Sequence, residues 1–200
     1  MKGHIRAGLV AAISVAVMAV GAISAFGWNP AGVQTFSTLN GGGATQLTTT
    51  LTGGTTLTSD ATFTANLVAG TTDLLTVTAT TYLNSRSSTG LATTVTSLDL
   101  PWPGFGVGIG ATGDVAVGPT FLSTLRDAAG ATVGTLTLRG IVTGNYNSRL
   151  APNNVGAVTF LTGGDLLRVI AATGVAAPLL GAAGDLTGVV TTRAAGPVLQ

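Results

Sequence analysis

No cysteine and no glutamate occur anywhere in the 200 residues, and lysine and histidine occur once each, as Lys2 and His4. Each absence removes a class of chemistry. Without cysteine there is no thiol nucleophile, no disulfide framework and no lipidated cysteine. Ser-His-Asp and Ser-Lys arrangements need a base beside the nucleophile, and both bases stand within the first four residues. Zinc and copper sites built on His or Cys fall on the same ground. No cofactor and no metal are expected. Aromatic residues are also scarce, at 5%, too few for the interfacial girdles of an outer-membrane barrel.

Whether those two bases stay with the protein depends on the first stretch. Lys2 and Arg6 precede an uncharged run over 7–25, rich in Ala, Val and Ile, and small residues follow as far as Gly27. A basic start, an apolar middle and a small-residue end make the pattern of a secretory signal. Residues 1–27 are therefore expected to form a signal helix, cleaved to leave a mature start near Ala25 or Trp28. The alternative is an uncleaved anchor, since about 20 apolar residues span a bilayer; a membrane is a partner only in that case. The expected location is secreted or cell-surface, with the periplasm included.

Beyond residue 27 the charged residues are six arginines and seven aspartates, a formal charge of −1. Such a balance gives no electrostatic case for a nucleic-acid partner. What fills the chain instead is Thr, Gly and aliphatic residues, with Gly at 30. Thr favours strands because its branched Cβ fits a pleated surface.

The pattern predicts an all-β fold. Residues 28–44, with Asn29-Pro30 and Gly41-Gly42-Gly43, read as a flexible lead-in segment, and 45–200 as one domain. Over 56–67, Leu57, Ala61, Phe63, Ala65 and Leu67 alternate with Thr and polar residues, the period of a strand with one wet face. Further strands are expected over 46–52, 73–82, 91–100, 114–117, 121–126, 132–143, 155–162 and 186–192. Asp127-Ala-Ala-Gly130 reads as a hairpin turn. Residues 104–110 alternate Gly with large apolar residues, leaving one bare face that another strand or chain can approach closely. One short helix is expected over 165–173, capped by Asp165, with Leu166, Val169, Ile170 and Thr173 on one side and Gly174 as its stop. Many short strands and one helix predict an antiparallel β-sandwich, Ig-like or jelly-roll-like.

Few motifs carry chemistry. Gly108-Ile-Gly110-Ala-Thr-Gly113 has dinucleotide-loop spacing but precedes a strand pattern, not a helix. The aspartates Asp60, Asp73, Asp99, Asp114, Asp127, Asp165 and Asp185 supply acid–base pairs only if the fold brings two together; in the sequence several read as turn or cap residues. Candidate binding residues are Trp102 and Phe105 beside a Pro/Gly loop, where an exposed ring stacks on a sugar or a partner. Two similar clusters, Tyr82 with Asn84 and Arg86, and Tyr146 with Asn147 and Arg149, are candidates for a polar binding tip.

Strand edges are normally guarded by charge, and these strands have little. The leading expectation is an exported, non-enzymatic structural protein of a cell surface or extracellular matrix, self-associating through strand edges into a homo-oligomer or filament. Residues 34–52 are a candidate donated strand. The alternative is a secreted module that binds carbohydrate, a surface glycan or a protein partner through exposed loop aromatics.

Overall fold

The computed structural model describes residues 28–68, 74–151 and 153–199; the expected signal segment, 1–27, lies outside them. Fifteen strands follow one another: β1 (Trp28–Asn29), β2 (Gly32–Ser37), β3 (Thr45–Leu51), β4 (Thr56–Leu67), β5 (Leu74–Ser87), β6 (Ala92–Leu98), β7 (Trp102–Ile109), β8 (Thr112–Val117), β9 (Thr120–Arg126), β10 (Thr132–Arg139), β11 (Val142–Leu150), β12 (Val155–Phe160), β13 (Leu167–Gly174), β14 (Ala183–Thr191) and β15 (Val198–Leu199). Thirteen of them form one sheet in the order β12-β11-β8-β7-β5-β6-β9-β10-β13-β14-β2-β4-β3, and β1 pairs with β15. Every strand pairing is antiparallel, as expected from the alternating pattern.

The sheet also closes on itself. The nominal end strands β12 and β3 both pair with β14, and β4 pairs with β5. Closure gives the nominal end strands a partner on both sides, and it encloses the inner faces of the strands in one core. The inward positions of β4 are the ones its alternation indicates: Leu57, Ala61, Ala65 and Leu67 are buried. Each large aliphatic side chain so buried contributes about 1.5–3 kcal/mol relative to exposure.

Three expectations are corrected. The first is the helix over 165–173, which is β13. Its backbone pairs with β10 from Gly134↔Gly174 to Arg139↔Arg168. Leu167 and Val169 point inward, whereas Leu166 and Ile170, from the supposed apolar side, are exposed at 69% and 50%. So short a segment is marginal as a helix, and its branched residues favour the ladder. A bulge at Ile170, the residue without a β10 partner between Val169 and Ala171, spoils the two-residue period that marks a strand. The one helical turn among the described residues is a 3-10 turn at Ala177–Leu179.

The second is the flexible lead-in. Trp28 is buried in the core, and β2 pairs with β4 from Gly32↔Leu67 to Ser37↔Thr62. The third is the donated strand: β2 and β3 are both paired within the chain's own sheet. The bare glycine face of β7 is likewise filled from within. A Cβ on Gly106 would lie 2.6 Å from the Trp28 ring and 2.9 Å from Leu199, so the glycines admit the β1–β15 ribbon.

Candidate functional site

Among the described residues, backbone pairing in the sheet wall opens between β5 and β6. β5 and β6 are joined at Arg86↔Ala92, and Ser87 N–H donates to Leu91 O. Beyond that pair no backbone pairing joins them among the described residues. β5 keeps β4 on one side throughout, while its other side meets β7 only at 74–77. β6 keeps β9 along its whole length, from Ala92↔Arg126 to Leu98↔Thr120. Among the described residues, no strand pairs with the second side of β6 over 93–98, or with that of β5 over 78–85. Side chains link the two strands instead: Thr80 Oγ1 and Ser97 Oγ are 2.5 Å apart, and Ser97 Oγ donates to Tyr82 Oη at 3.4 Å. Leu98 O is taken by Trp102 Nε1–H at 2.7 Å.

Two bulges in β5 decide what faces this opening. Ala65↔Val77 is followed by Thr64↔Ala79, leaving Thr78 as an extra residue; Asp60↔Leu83 is followed by Thr58↔Arg86, which places Asn84 and Ser85 against Ser59 alone. A bulge shifts the alternation. After Thr78 the inward residues are therefore Thr80 and Tyr82 in place of Ala79. Tyr82 packs edge-on against Phe63, with ring centroids 6.1 Å apart at 85°. Burial pushes its phenol up to about 12, against the hydrogen bonds from Ser97 and Thr80.

Behind the opening lies an apolar cavity of about 100 Å³. Its lining includes Phe63, Tyr82, Val95, Phe121, Ser123 and Tyr146. Ser123 stands on the inner face of β9 between Phe121 and Leu125, opposite Val95 on β6 and Leu136 on β10. It is fully buried, and its hydroxyl has no hydrogen-bond partner. A buried hydroxyl left without a partner costs about 1–3 kcal/mol.

The predicted site residues do not gather at one place. Trp102 is 2% exposed and tied to Leu98, so it is a core side chain and not a stacking platform. Pro103 and Gly104 belong to β7, while Pro101 lies in the bend before it. Phe105 is half-buried in β7, paired with Leu74 and Ala116. Tyr146 is buried against Trp28, edge-on with centroids 5.2 Å apart, and donates its hydroxyl to Pro197 O; burial pushes its phenol well above the usual range. Both tyrosines thus line the cavity, and the expected polar tips are absent from them. Asn84 reaches Asp60, Arg86 is exposed at the hairpin, Asn147 Oδ1 accepts Arg149 N–H at 2.8 Å, and Arg149 Nη1 donates to Ser148 O and Gly196 O.

Five of the aspartates are tied to the framework, and Asp73 lies outside the described residues. Asp60 accepts from Asn84 and Asp114 from Asn145, each at 2.6 Å. Asp127 accepts Ala129 and Ala131 N–H in its turn. Asp165, expected as a local cap, bridges distant strands: Thr143 N–H donates to Oδ1 at 2.8 Å and Leu186 N–H to Oδ2 at 2.6 Å. Burial pushes its carboxyl up, those two bonds pull it down, and the charge of Asp185 adds to the rise. Asp185 accepts Gly163 N–H. Among the described residues no three His, Cys, Asp or Glu stand together to hold a metal, and no helix is long and apolar enough to cross a membrane.

A separate polar groove of about 590 Å³ lies between the 34–40 and 192–195 stretches, lined by Gln34, Thr35, Asn40, Thr192 and Arg193 among others. Sequence reasoning missed Ser123 and Val95. The available signal was a serine at an inward position of Phe121-x-Ser123-x-Leu125. No protein-family model, no curated protein and no solved structure matches the chain.

Proposed function

We propose that this chain is an exported, non-enzymatic structural protein of a cell surface or extracellular matrix, which assembles by pairing the free edge of β6 with a second copy. The observation that carries the reading is that edge. Among the described residues, the backbone of 93–98 pairs with β9 on one side and with no strand on the other, where β5 is joined to it by side chains alone, and the run Thr-Thr-Val-Thr-Ser-Leu contains no charge and no proline. Soluble proteins ordinarily blunt such an edge with Lys, Pro or a bulge. A run rich in β-branched residues is suited to adding a strand.

The absence of catalysis is supported by the engagement of Asp60, Asp114, Asp127, Asp165 and Asp185 in structural hydrogen bonds. Export rests on the signal pattern of residues 1–27. We also read the doubly closed sheet as a flattened, jelly-roll-like sandwich whose layers share the long strands β4 and β5; the two bulges that bend β5 support this. Negative-stain microscopy of the secreted protein tests the function: ordered oligomers or filaments are expected, and uniformly single particles at all concentrations contradict it.

A second reading, a glycan-binding module, draws support from the groove of hydroxyl, amide and arginine side chains near Asn40 and Arg193. It no longer rests on loop aromatics. A glycan array that stays blank for the wild-type protein removes it.

A further inference from the structure

Ser123 is a polar exception on an apolar face. Its neighbours along the inner side of β9 are Phe121 and Leu125, and its neighbours across the sheet are Val95 and Leu136. Strand alternation turns its Oγ toward the interior, where it lines the cavity, fully buried and without a partner. Buried hydroxyls are satisfied in the large majority of cases. An orphan at the wall of a cavity therefore has the character of half an interaction.

The cavity has the dimensions and lining for the other half. Its volume, about 100 Å³, is comparable to that of apolar cavities of about 150 Å³ that stay dry and take up benzene or xenon. Its wall is nearly all hydrocarbon and holds no charged side chain. Its wall is not sealed by backbone pairing throughout. Phe63, Tyr82 and Val95 line it and are half-buried, and Tyr82 and Val95 sit where β5 and β6 run without backbone pairing among the described residues. The rim there carries the hydroxyls of Thr80 and Ser97.

We propose that this cavity is a binding site for a small, uncharged, largely apolar molecule carrying one hydrogen-bonding oxygen, such as an alcohol or a ketone, which enters between β5 and β6 and pairs its oxygen with Ser123 Oγ. The hydrocarbon wall selects against ions and sugars, because their polar groups would be left unpaired inside. Ser123 selects an oxygenated ligand over the matching hydrocarbon. No covalent step is involved.

The test is a methyl-detected NMR titration of the full chain with cyclohexanol and, separately, with cyclohexane. Saturable shifts are expected at the lining methyl groups of Val95, Val117 and Val142, with cyclohexanol the tighter ligand. Ser123→Ala, which removes one hydroxyl and adds no volume, is expected to weaken cyclohexanol about tenfold, the scale of one hydrogen bond, and to leave cyclohexane unchanged. Val95→Phe, at the half-buried mouth, is expected to weaken both. The proposal is overturned by three results. One is the absence of saturable shifts with either probe. Another is an equal effect of Ser123→Ala on both probes. The third is a water molecule that persists beside Ser123, seen as water-to-methyl cross-relaxation, under excess cyclohexanol. Failure here is separable from failure of edge pairing, because Ser123→Ala leaves the β6 backbone edge intact and sedimentation reads that edge alone.

Discussion

Asn84 Nδ2 donates to Asp60 Oδ2 across the β4–β5 pair at 2.6 Å, from a backbone held at φ 51°. The two features belong together. The bulge that leaves Asn84 and Ser85 facing Ser59 alone turns the chain into the left-handed region, where Asn is better tolerated than most residues. Asp60 is 9% exposed, so its carboxylate depends on that partner. Asn84→Ala is expected to destabilise the protein by about 1–3 kcal/mol through the unpaired carboxylate, with backbone strain of about 1–2 kcal/mol added. Asn84→Gly removes the hydrogen bond but not the backbone freedom, and is expected to be the milder change. Urea denaturation of the three proteins checks the order.

Trp28 against Gly106 gives the second prediction. A Cβ on Gly106 would sit 2.6 Å from Trp28 Cζ2. Gly106→Ala is expected to destabilise by about 1–3 kcal/mol, as overpacking does, and to shift the tryptophan emission as the β1–β15 ribbon is displaced. Ala in place of Trp28 is expected to cost about 3–5 kcal/mol. Thermal melts followed by fluorescence and circular dichroism separate the two effects.

Alkaline pH gives the third. Burial pushes the Tyr82 phenol up to about 12 and raises the Tyr146 phenol as well, while unfolded tyrosine titrates at about 10. Between those values the unfolded chain has released the proton and the folded chain still holds it. Stability is therefore complete below about pH 10 and falls as pH rises toward about 12. Tyr82→Phe is expected to flatten part of that fall and Tyr146→Phe another part. Melting temperatures across the interval, with tyrosinate absorbance near the same pH, check it.

The all-β fold was legible because long stretches such as 56–67 alternate cleanly, and burial of Leu57, Ala61, Ala65 and Leu67 follows that alternation. The helix expected over 165–173 was not, because the Ile170 bulge replaces a period of two with spacings that mimic a helical face. Bulges also hid the orientation of Tyr82, which the β5 pattern alone places outside the wall. Asp165 illustrates a different limit: a Gly-Asp step looks like a local cap, yet its partners Thr143 and Leu186 lie more than twenty residues away in opposite directions. The gap between β5 and β6 leaves no mark in composition, since it follows from which strands pair and not from what they contain.

On the proposed function, the uncharged edge of β6 joins copies of this chain. Sedimentation velocity of the secreted protein, wild type beside Thr96→Lys, tests it most directly. Thr96 is exposed in the middle of the edge, and a lysine there is the charge that guarded edges carry. The account predicts a sedimentation coefficient that rises with concentration for the wild type and a monomer for Thr96→Lys with an unchanged circular dichroism spectrum. A wild-type protein that stays monomeric at the highest concentration reached, or a Thr96→Lys protein that associates equally well, would contradict it.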